Sequence, residues 1–146
     1  FHKNKGLNIR IARFNNCFGP YCTWDGGREK SPAAICRKAL TQDPIEIWGD
    51  GKQVREFIYI DDLLDAIEVI MQSDHKEPIN IGPDESYTID EMVRMVSNKE
   101  IKHIPGPIGV QVRLTDNTKI KSLGWLPKVS VESGMKLLLK WVESQQ

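Results

Sequence analysis

The chain has 146 residues, of which 40% are hydrophobic, and its 20 basic and 20 acidic side chains give a formal net charge of +0. This length and composition suit one domain with a hydrophobic core, while the zero net charge gives no support for bulk attraction to nucleic acid or to an anionic membrane. No apolar run approaches the ~20 residues that a membrane span needs, and the N-terminal residues do not form a signal peptide.

The first third of the sequence predicts a strand, a long loop and a helix. Residues 8–14 (NIRIARF) alternate and then run apolar, as in a strand of a covered sheet. Residues 15–30 form a loop of a length at which loops tend to be functional. Ser31 and Pro32 predict an N-cap and a first helical residue, so we expect a helix from there to about Thr41. The candidates for its inner face are Ala34, Ile35 and Ala39.

The middle of the sequence predicts two strands around a tight turn. Residues 45–48 predict a short strand, and the turn Gly49-Asp50-Gly51 follows it. Residues 54–60 are β-branched and aromatic, as strands favour, except where Arg55 and Glu56 interrupt the run. Two charges inside an otherwise apolar strand indicate that this stretch does more than pack.

The rest of the chain predicts helices alternating with short extended segments. A helix after the second strand has Asp61 or Asp62 as its expected cap and one apolar stripe that includes Leu63, Ala66, Ile67 and Ile70. Further expected elements are a strand at 78–81, a helix from the capping box Thr88-Ile89-Asp90-Glu91, extended segments at 101–105 and 110–114, and a short helix capped by Asp116. The final helix is expected from about Ser130, with Leu137, Leu138 and Trp141 facing the body.

This alternation of strands and helices indicates an α/β fold. The strands after residue 44 are too short and too few for a complete doubly wound sheet. We therefore expect the far end of a larger α/β protein, with one or two sheet strands and a small mixed α/β lobe on the substrate side. Because the sequence starts abruptly, without Met, we expect the chain to be part of a longer protein.

The three cysteines, Cys17, Cys22 and Cys36, are too sparse and too odd in number for a disulfide scaffold. We expect reduced thiols in a cytoplasmic protein. No Cys-x-x-Cys pair or paired-histidine spacing supports a zinc site, so we predict no bound metal.

Four basic residues, Lys30, Lys38, Arg55 and Arg113, lie beside loop or turn elements. A cleft formed by them would bind a diphosphate, because guanidinium groups match phosphate oxygens bidentately and lysine acts as a point charge. The alternative is that all four are solvated surface charges, which is hardest to accept for Arg55. Lys30 precedes a helix N-terminus, where deprotonation is favoured, which suits an acid/base lysine. Asn16 lies beyond a strand end, where ligands of α/β sheets gather.

Several motifs resemble the extended short-chain dehydrogenases/reductases of the NAD-dependent epimerase/dehydratase family, which act on nucleotide sugars. These motifs are Arg13-Phe14-Asn15-Asn16-Cys17-Phe18-Gly19-Pro20, Trp48-Gly49-Asp50-Gly51 with Gln53, Arg55 and Phe57, Ile60-Asp61-Asp62, Asn80-Ile81-Gly82 and Leu123-Gly124-Trp125-Leu126-Pro127. The loop Thr23 to Ala34, with its Gly26-Gly27-Arg28-Glu29-Lys30 segment, and the later His103-Ile104-Pro105-Gly106-Pro107 resemble the branch that epimerises GDP-mannose at C3 and C5.

The resemblance implies an NAD-dependent isomerase that forms GDP-L-galactose from GDP-mannose and that is a homodimer when full length. Bound NAD would take hydride from C4 of the sugar, and an acid/base pair would then invert C3 and C5 through a 4-keto intermediate. Lys30 matches one member of that pair. The substrate-contacting positions are matched by Asn16, Glu29, Lys30, Ser31, Lys38, Gln53, Val54, Arg55 and Arg113.

The sequence also departs from the family. The glycine-rich cofactor loop and the catalytic Tyr-x-x-x-Lys pair are absent from these residues. The resemblance therefore implies that residues 1–146 form the C-terminal substrate-binding part, that residues 1–20 carry a strand of the Rossmann-type sheet, and that the N-terminal NAD-binding part is absent. Asn15 stands where the family tends to have histidine, Cys22 where it has glycine, and Gln111-Val112 where Arg-Gly is expected. Two alternatives therefore stay open: another nucleotide-sugar 4-epimerase or dehydratase, and a non-catalytic nucleotide-sugar-binding module.

Overall fold

The structure is a computed structural model and describes residues 5–146. Its strands are β1 Ala12–Phe14, β2 Asn16–Phe18, β3 Ile45–Trp48, β4 Val54–Arg55, β5 Phe57–Tyr59, β6 Ile79–Ile81, β7 Tyr87–Thr88 and β8 Ile101–Ile104. The helices, numbered within the described residues, are α1 Ser31–Thr41, α2 Ile60–Gln72, α3 Ile89–Arg94, α4 Thr118–Ser122 and α5 Val131–Glu143.

Parallel pairing dominates the sheets. Strand β1 pairs with β6, β2 with β5 and β3 with β8, all in parallel, while β4 and β7 are antiparallel. Parallel strands need crossover connections, and the helices supply them. The predicted α/β class is confirmed. Within residues 5–146, no helix is both long and apolar enough to cross a lipid bilayer.

Two predictions of strand bounds were wrong, and in each region a single residue separates two short strands. The strand expected at residues 8–14 is only three residues long, and after Asn15 the chain enters β2, inside the segment predicted to be a loop. The strand expected at residues 54–60 divides at Glu56 into β4 and β5. In both cases the two halves pair with different strands, a non-local choice that the residue pattern does not contain.

Strand β5 separates two hydrophobic cores. Phe57 and Tyr59 pack into one cluster and Ile58 into the other, and all three are at most 6% exposed. Alternate side chains of a strand face opposite sides of the sheet, so a strand buried on both faces reads as a continuous apolar run. The larger cluster joins α1, α3 and α5 to β3, and the smaller joins α2, β6 and α4.

The structure has one of the predicted helix caps: Thr88 forms the expected capping box with Glu91. The final helix starts where it was predicted, after Ser130, which accepts a hydrogen bond from the Ser133 amide. The prediction of Asp116 as the cap of α4 was wrong, because the N-cap is Asn117; Asp116 precedes it and accepts hydrogen bonds from the amide and hydroxyl of Thr118. These local motifs satisfy amides that the helix itself leaves without partners.

Three further local predictions were wrong. Helix α2 begins at Ile60, and neither Asp61 nor Asp62 caps it. Asp62 is instead 1% exposed and accepts hydrogen bonds from the amides of Lys128 and Val129. Ser31 is the first residue of α1 rather than its cap. Leu137 is 47% exposed, because the inner face of α5 is formed by Val131, Gly134, Met135, Leu138 and Val142.

Candidate functional site

A cavity of about 380 Å³ lies between helix α1, the end of β3 and a segment at residues 107–109. Its lining combines polar and charged side chains with an aromatic ring and aliphatic groups. The lining residues are Gly27, Glu29, Ser31, Ala34, Ile35, Arg37, Lys38, Ile47, Trp48, Gln53, Arg55, Ile89, Pro107, Ile108 and Gly109. Five of the residues predicted from sequence meet here: Glu29, Ser31, Lys38, Gln53 and Arg55.

Lys38 reaches the cavity from α1. Its ammonium donates a hydrogen bond to the carbonyl of Glu46 at 2.6 Å and lies 5.8 Å from the centre of the Trp48 ring. Burial, reinforced by the nearby charge of Arg37, lowers the pKa of Lys38 below its usual value. The side chain is thus a partly desolvated cation over an aromatic ring, and the lower local dielectric strengthens its attraction for an anion.

Arg55 enters the same cavity from β4. One guanidinium nitrogen, Nη1, donates to the carbonyls of Val54 at 2.8 Å and of Gln111 at 3.3 Å. Gly109 lies close to the other terminal nitrogen, where a Cβ would be 3.3 Å from Nη2. The guanidinium plane is therefore fixed by backbone carbonyls at the cavity wall, which suits bidentate binding of a phosphate or carboxylate.

Glu29 contributes a buried acid. Its side chain is 5% exposed, and its Oε1 accepts hydrogen bonds from Nε and Nη2 of Arg37 at 3.1 and 2.6 Å. A hydrogen bond from its own backbone amide, together with Arg37, lowers the pKa of Glu29 against the opposing effect of burial. Its Oε2 is buried without a hydrogen-bond partner among the described residues. A water molecule or a ligand hydroxyl would satisfy such an acceptor.

Lys30 lies apart from this cavity. It is exposed and lines a smaller cavity of about 190 Å³, whose other lining residues are Cys17, Phe18, Cys22, Thr23, Arg28, Pro32 and Ala33. The backbone of Lys30 is extended, with φ −77° and ψ 160°, and consecutive side chains of an extended chain point to opposite sides. Burial raises the pKa of the Cys17 thiol, and the charge of Lys30 opposes that rise.

The other predicted site residues are more scattered. Asn16 is half-buried in β2, and its amide donates to Oδ1 of Asn15 at 2.8 Å. Val54 is half-buried, and its amide donates to the carbonyl of Gln111 at 2.8 Å. Arg113 is exposed and lines neither of these two cavities. The structure thus unites Lys38, Gln53 and Arg55 but leaves Arg113 outside their cavity.

Trp48 was not predicted to be a site residue, because the sequence analysis treated it only as the end of the strand before the glycine turn. Its ring is 53% exposed, and one side of it packs against Gly106, where a Cβ would approach ring atoms to 2.5 Å. The available signal was a large aromatic residue directly before a glycine turn in a stretch already interrupted by Arg55. Arg37, which also lines the cavity, was not among the predicted site residues.

The described residues do not fit the phosphates of NAD. Dinucleotide-binding folds place a glycine-rich turn between a strand and a helix, so that backbone amides face the pyrophosphate. Gly26 and Gly27 lie in the loop between β2 and α1, but three residues separate them from the helix, and its second residue, Pro32, has no amide proton to donate. The Gly49-Asp50-Gly51 turn lies before strand β4 rather than before a helix. The space beside Gly51 is filled by the carboxylate of Asp90, which would repel a phosphate.

The sequence of this chain is similar to those of known proteins. The sequence model of the "NAD dependent epimerase/dehydratase family" matches residues 1–82. GDP-mannose 3,5-epimerase of Arabidopsis thaliana is 45% identical over 152 aligned residues, which cover 99% of this chain and 40% of that protein. UDP-glucuronic acid decarboxylase 2 of the same plant is 34% identical, covering 96% of this chain and 33% of that protein.

Solved structures agree with the sequence comparison. UDP-glucose 4-epimerase of Thermotoga maritima, solved with UDP-glucose, matches with a TM-score of 0.88 and 30% identity, over 99% of this chain and 48% of that one. The chain spans about two-fifths of the length of the GDP-mannose 3,5-epimerase it matches, and its fold is the C-terminal part of a Rossmann-type extended short-chain dehydrogenase/reductase. The chain belongs to the NAD dependent epimerase/dehydratase family.

Proposed function

We propose that this chain supplies the substrate-binding part of an NAD-dependent nucleotide-sugar epimerase, and that the substrate is GDP-mannose, inverted at C3 and C5 to give GDP-L-galactose. The single observation that carries the proposal is the convergence of Lys38, Gln53 and Arg55 with the exposed ring of Trp48 in one cavity. Cations, an amide and an aromatic ring are the groups that a nucleoside diphosphate needs.

Each group has a proposed partner on the substrate. Lys38 and Arg55 bind the diphosphate, because both are partly buried cations fixed by hydrogen bonds to backbone carbonyls. Trp48 offers its ring to the base. The free Oε2 of Glu29 accepts a hydrogen bond from a sugar hydroxyl, which would satisfy an otherwise unpaired buried acceptor. The choice of GDP-mannose rests on the 45% identity to GDP-mannose 3,5-epimerase.

Lys30 is the proposed acid/base residue. It immediately precedes α1, and its cavity is lined by Cys17 rather than by the diphosphate cations. In this position it would exchange a proton with the sugar ring at a distance from Lys38 and Arg55. Bound NAD would supply the removal and return of hydride, and the residues that hold it lie outside those described.

The full-length protein, with added NAD, provides the test of substrate and reaction. Incubation with GDP-mannose, UDP-glucose or UDP-glucuronic acid, followed by NMR of the products, should give a C3/C5 epimer from GDP-mannose alone. A clear preference for either UDP-sugar would overturn the choice of GDP-mannose and favour a 4-epimerase or decarboxylase reaction, as carried out by relatives of this chain. Binding of GDP-mannose without any turnover would favour a non-catalytic module.

Three further properties of the whole protein are part of this proposal. Strand β1 would belong to the Rossmann sheet of the NAD-binding half, the complete enzyme would be a homodimer, and it would act in the cytoplasm. Light scattering of the full-length protein tests the dimer, and fluorescence microscopy of a tagged protein tests the location.

A further inference from the structure

Glu56 is a buried acid that the proposed substrate contacts do not use. It is 6% exposed and occupies the break between β4 and β5. No ion pair found among residues 5–146 includes it. Burying a carboxyl group without a countercharge is costly unless hydrogen-bond donors are placed around it. We therefore expect Glu56 to accept a hydrogen bond from a nearby donor and to hold that donor in position.

That partner is Asn15, which is 7% exposed and occupies the equivalent break between β1 and β2. Asn15 Nδ2 donates to Glu56 Oε2 at 2.6 Å and to Thr115 Oγ1 at 2.9 Å. Its Oδ1 accepts the backbone amide of Asn16 at 2.8 Å. Because the carboxylate accepts and the Asn16 amide donates, only one orientation of the Asn15 side chain satisfies both neighbours.

The first consequence concerns Asn16. Strands β2 and β5 begin directly after the two breaks, and Asn16 stands opposite Phe57 in their parallel register. The bond between Asn15 and Glu56 thus links the two points at which the chain changes sheets. It sets where β2 starts, and so where Asn16, a candidate substrate contact, is held.

The second consequence concerns the cavity wall formed by residues 107–109. The chain continues from this wall to Thr115, which is held by Asn15. Between them, the carbonyl of Gln111 accepts from the Val54 amide at 2.8 Å and from Arg55 Nη1 at 3.3 Å. Two sets of hydrogen bonds therefore hold residues 107–115 beside Arg55. One set joins the Gln111 carbonyl to Val54 and Arg55, and the other joins Thr115 through Asn15 to Glu56.

We propose that Glu56 is a positioning residue for the nucleotide site: through Asn15 it sets Asn16 and, through Thr115, the 107–115 segment that forms the wall beside Arg55. It acts through these residues rather than by touching the substrate. The identity of the ligand, a nucleoside diphosphate, rests on the proposed function. The hydrogen bonds that join Glu56, Asn15 and Thr115 are independent of it.

Exchanging the two polar groups tests the proposal. In the full-length protein, Asn15→Asp places two carboxylates against each other, whereas Asn15→Asp combined with Glu56→Gln restores a donor and an acceptor with the roles reversed. Glu100→Gln, at an exposed glutamate, is the matched control. We expect Asn15→Asp to weaken GDP binding by about tenfold or more in calorimetry, the double variant to recover most of that loss, and the control to bind like the parent.

Amide hydrogen exchange provides a readout that needs no ligand. Asn15→Asp should speed exchange at the amides of Asn16 and Val54, and the double variant should restore slow exchange. Thr115→Val, which removes one acceptor and leaves the acid in place, should give a smaller effect at Val54 and weaken GDP binding roughly threefold. This variant also keeps the test open if Asn15→Asp does not fold.

The results separate the two proposals. If the parent protein does not bind GDP, the proposed function fails, while the exchange rates still decide the role of Glu56. A double variant as defective as Asn15→Asp would overturn the positioning role. So would a loss of thermal stability in Asn15→Asp or Thr115→Val that leaves the GDP affinity of the folded protein unchanged.

Discussion

Lys30 and Ser31 are consecutive residues, yet their side chains line two different cavities. Ser31 faces the cavity that contains Lys38 and Arg55, and Lys30 faces the one that contains Cys17. The extended backbone of Lys30 immediately before α1 produces this division. Under the proposed function, this short segment would serve two subsites, one for the diphosphate and one for proton transfer.

The first prediction follows from that division. In the full-length protein, Lys30→Ala should lower the rate of epimerisation by about 10²–10⁴-fold, the usual contribution of an acid/base group, while GDP binding stays unchanged. Arg28→Ala, which removes another cation from the same cavity, is the control and should keep most of the activity. If Lys30→Ala instead weakens GDP binding and spares the turnover of bound substrate, Lys30 is a contact residue.

Arg55 should contribute mainly to affinity. Arg55→Ala removes a partly buried guanidinium, so GDP binding should weaken by about 1.5–3 kcal/mol, the range for a charged hydrogen bond. Isothermal titration calorimetry measures the change. Lys52→Ala removes an exposed positive charge three residues away and should have little effect. Equal losses for the two variants would reduce Arg55 to a general surface charge.

Lys38 should make GDP binding sensitive to alkaline pH. Burial lowers the pKa of Lys38, so the ammonium loses its proton, and its attraction for the diphosphate, at a lower pH than an ordinary lysine. Affinity should therefore fall as the pH rises through that pKa. Lys38→Arg should flatten this dependence, because a guanidinium stays charged throughout the range. An equally steep fall in the variant would exclude Lys38 as the titrating group.

Asp62 should matter to stability far more than its neighbour Asp61. Asp62 is buried and accepts two backbone amides from the segment that leads into α5, whereas Asp61 is exposed. Asp62→Ala would leave both donors without a partner and should reduce the free energy of unfolding by about 1.5–3 kcal/mol. Urea unfolding measures this free energy for both variants. That of Asp61→Ala should lie within about 0.5 kcal/mol of the parent's.

The cysteines should differ in their reactivity. Burial raises the pKa of Cys36 to about 12, so at pH 8 almost none of it is thiolate and iodoacetamide should not modify it in the folded protein. Cys17 and Cys22 are less buried, and their pKa values are raised as well, so they should react slowly. Unfolding in urea should make all three react alike.

The charge of Lys30 should affect the alkylation rate of Cys17. Its charge opposes the rise in the pKa of Cys17, so Lys30→Ala should slow alkylation of Cys17 and leave Cys22 unchanged. Mass spectrometry of peptides taken over time measures both rates. Equal rates for Cys17 in the parent and the variant would contradict the placement of Lys30 beside that thiol.

Local signals in the sequence predicted much of this protein. The capping box at Thr88, the start of the final helix near Ser130 and the apolar stripe of α2 each depend on residues within two turns of a helix, and the structure has all of them. The motifs from Arg13 to Pro20 and from Trp48 to Phe57 also identified the family. Gln53 and Arg55 both follow the Gly49-Asp50-Gly51 turn within a few residues. Their proximity in sequence was therefore enough to predict that they lie in the same cavity.

The tertiary structure alone decided which strand each short segment joins, and with it the role of two buried polar residues. The sequence indicated that Glu56 interrupts a strand, but not that its carboxylate accepts a hydrogen bond from Asn15, 41 residues earlier. Nor did it separate Lys30 from Ser31. A residue pattern records which side chains alternate along a strand, whereas the sheet that a strand enters depends on partners far away in the chain. The strand breaks at Asn15 and Glu56 arise from those distant partners.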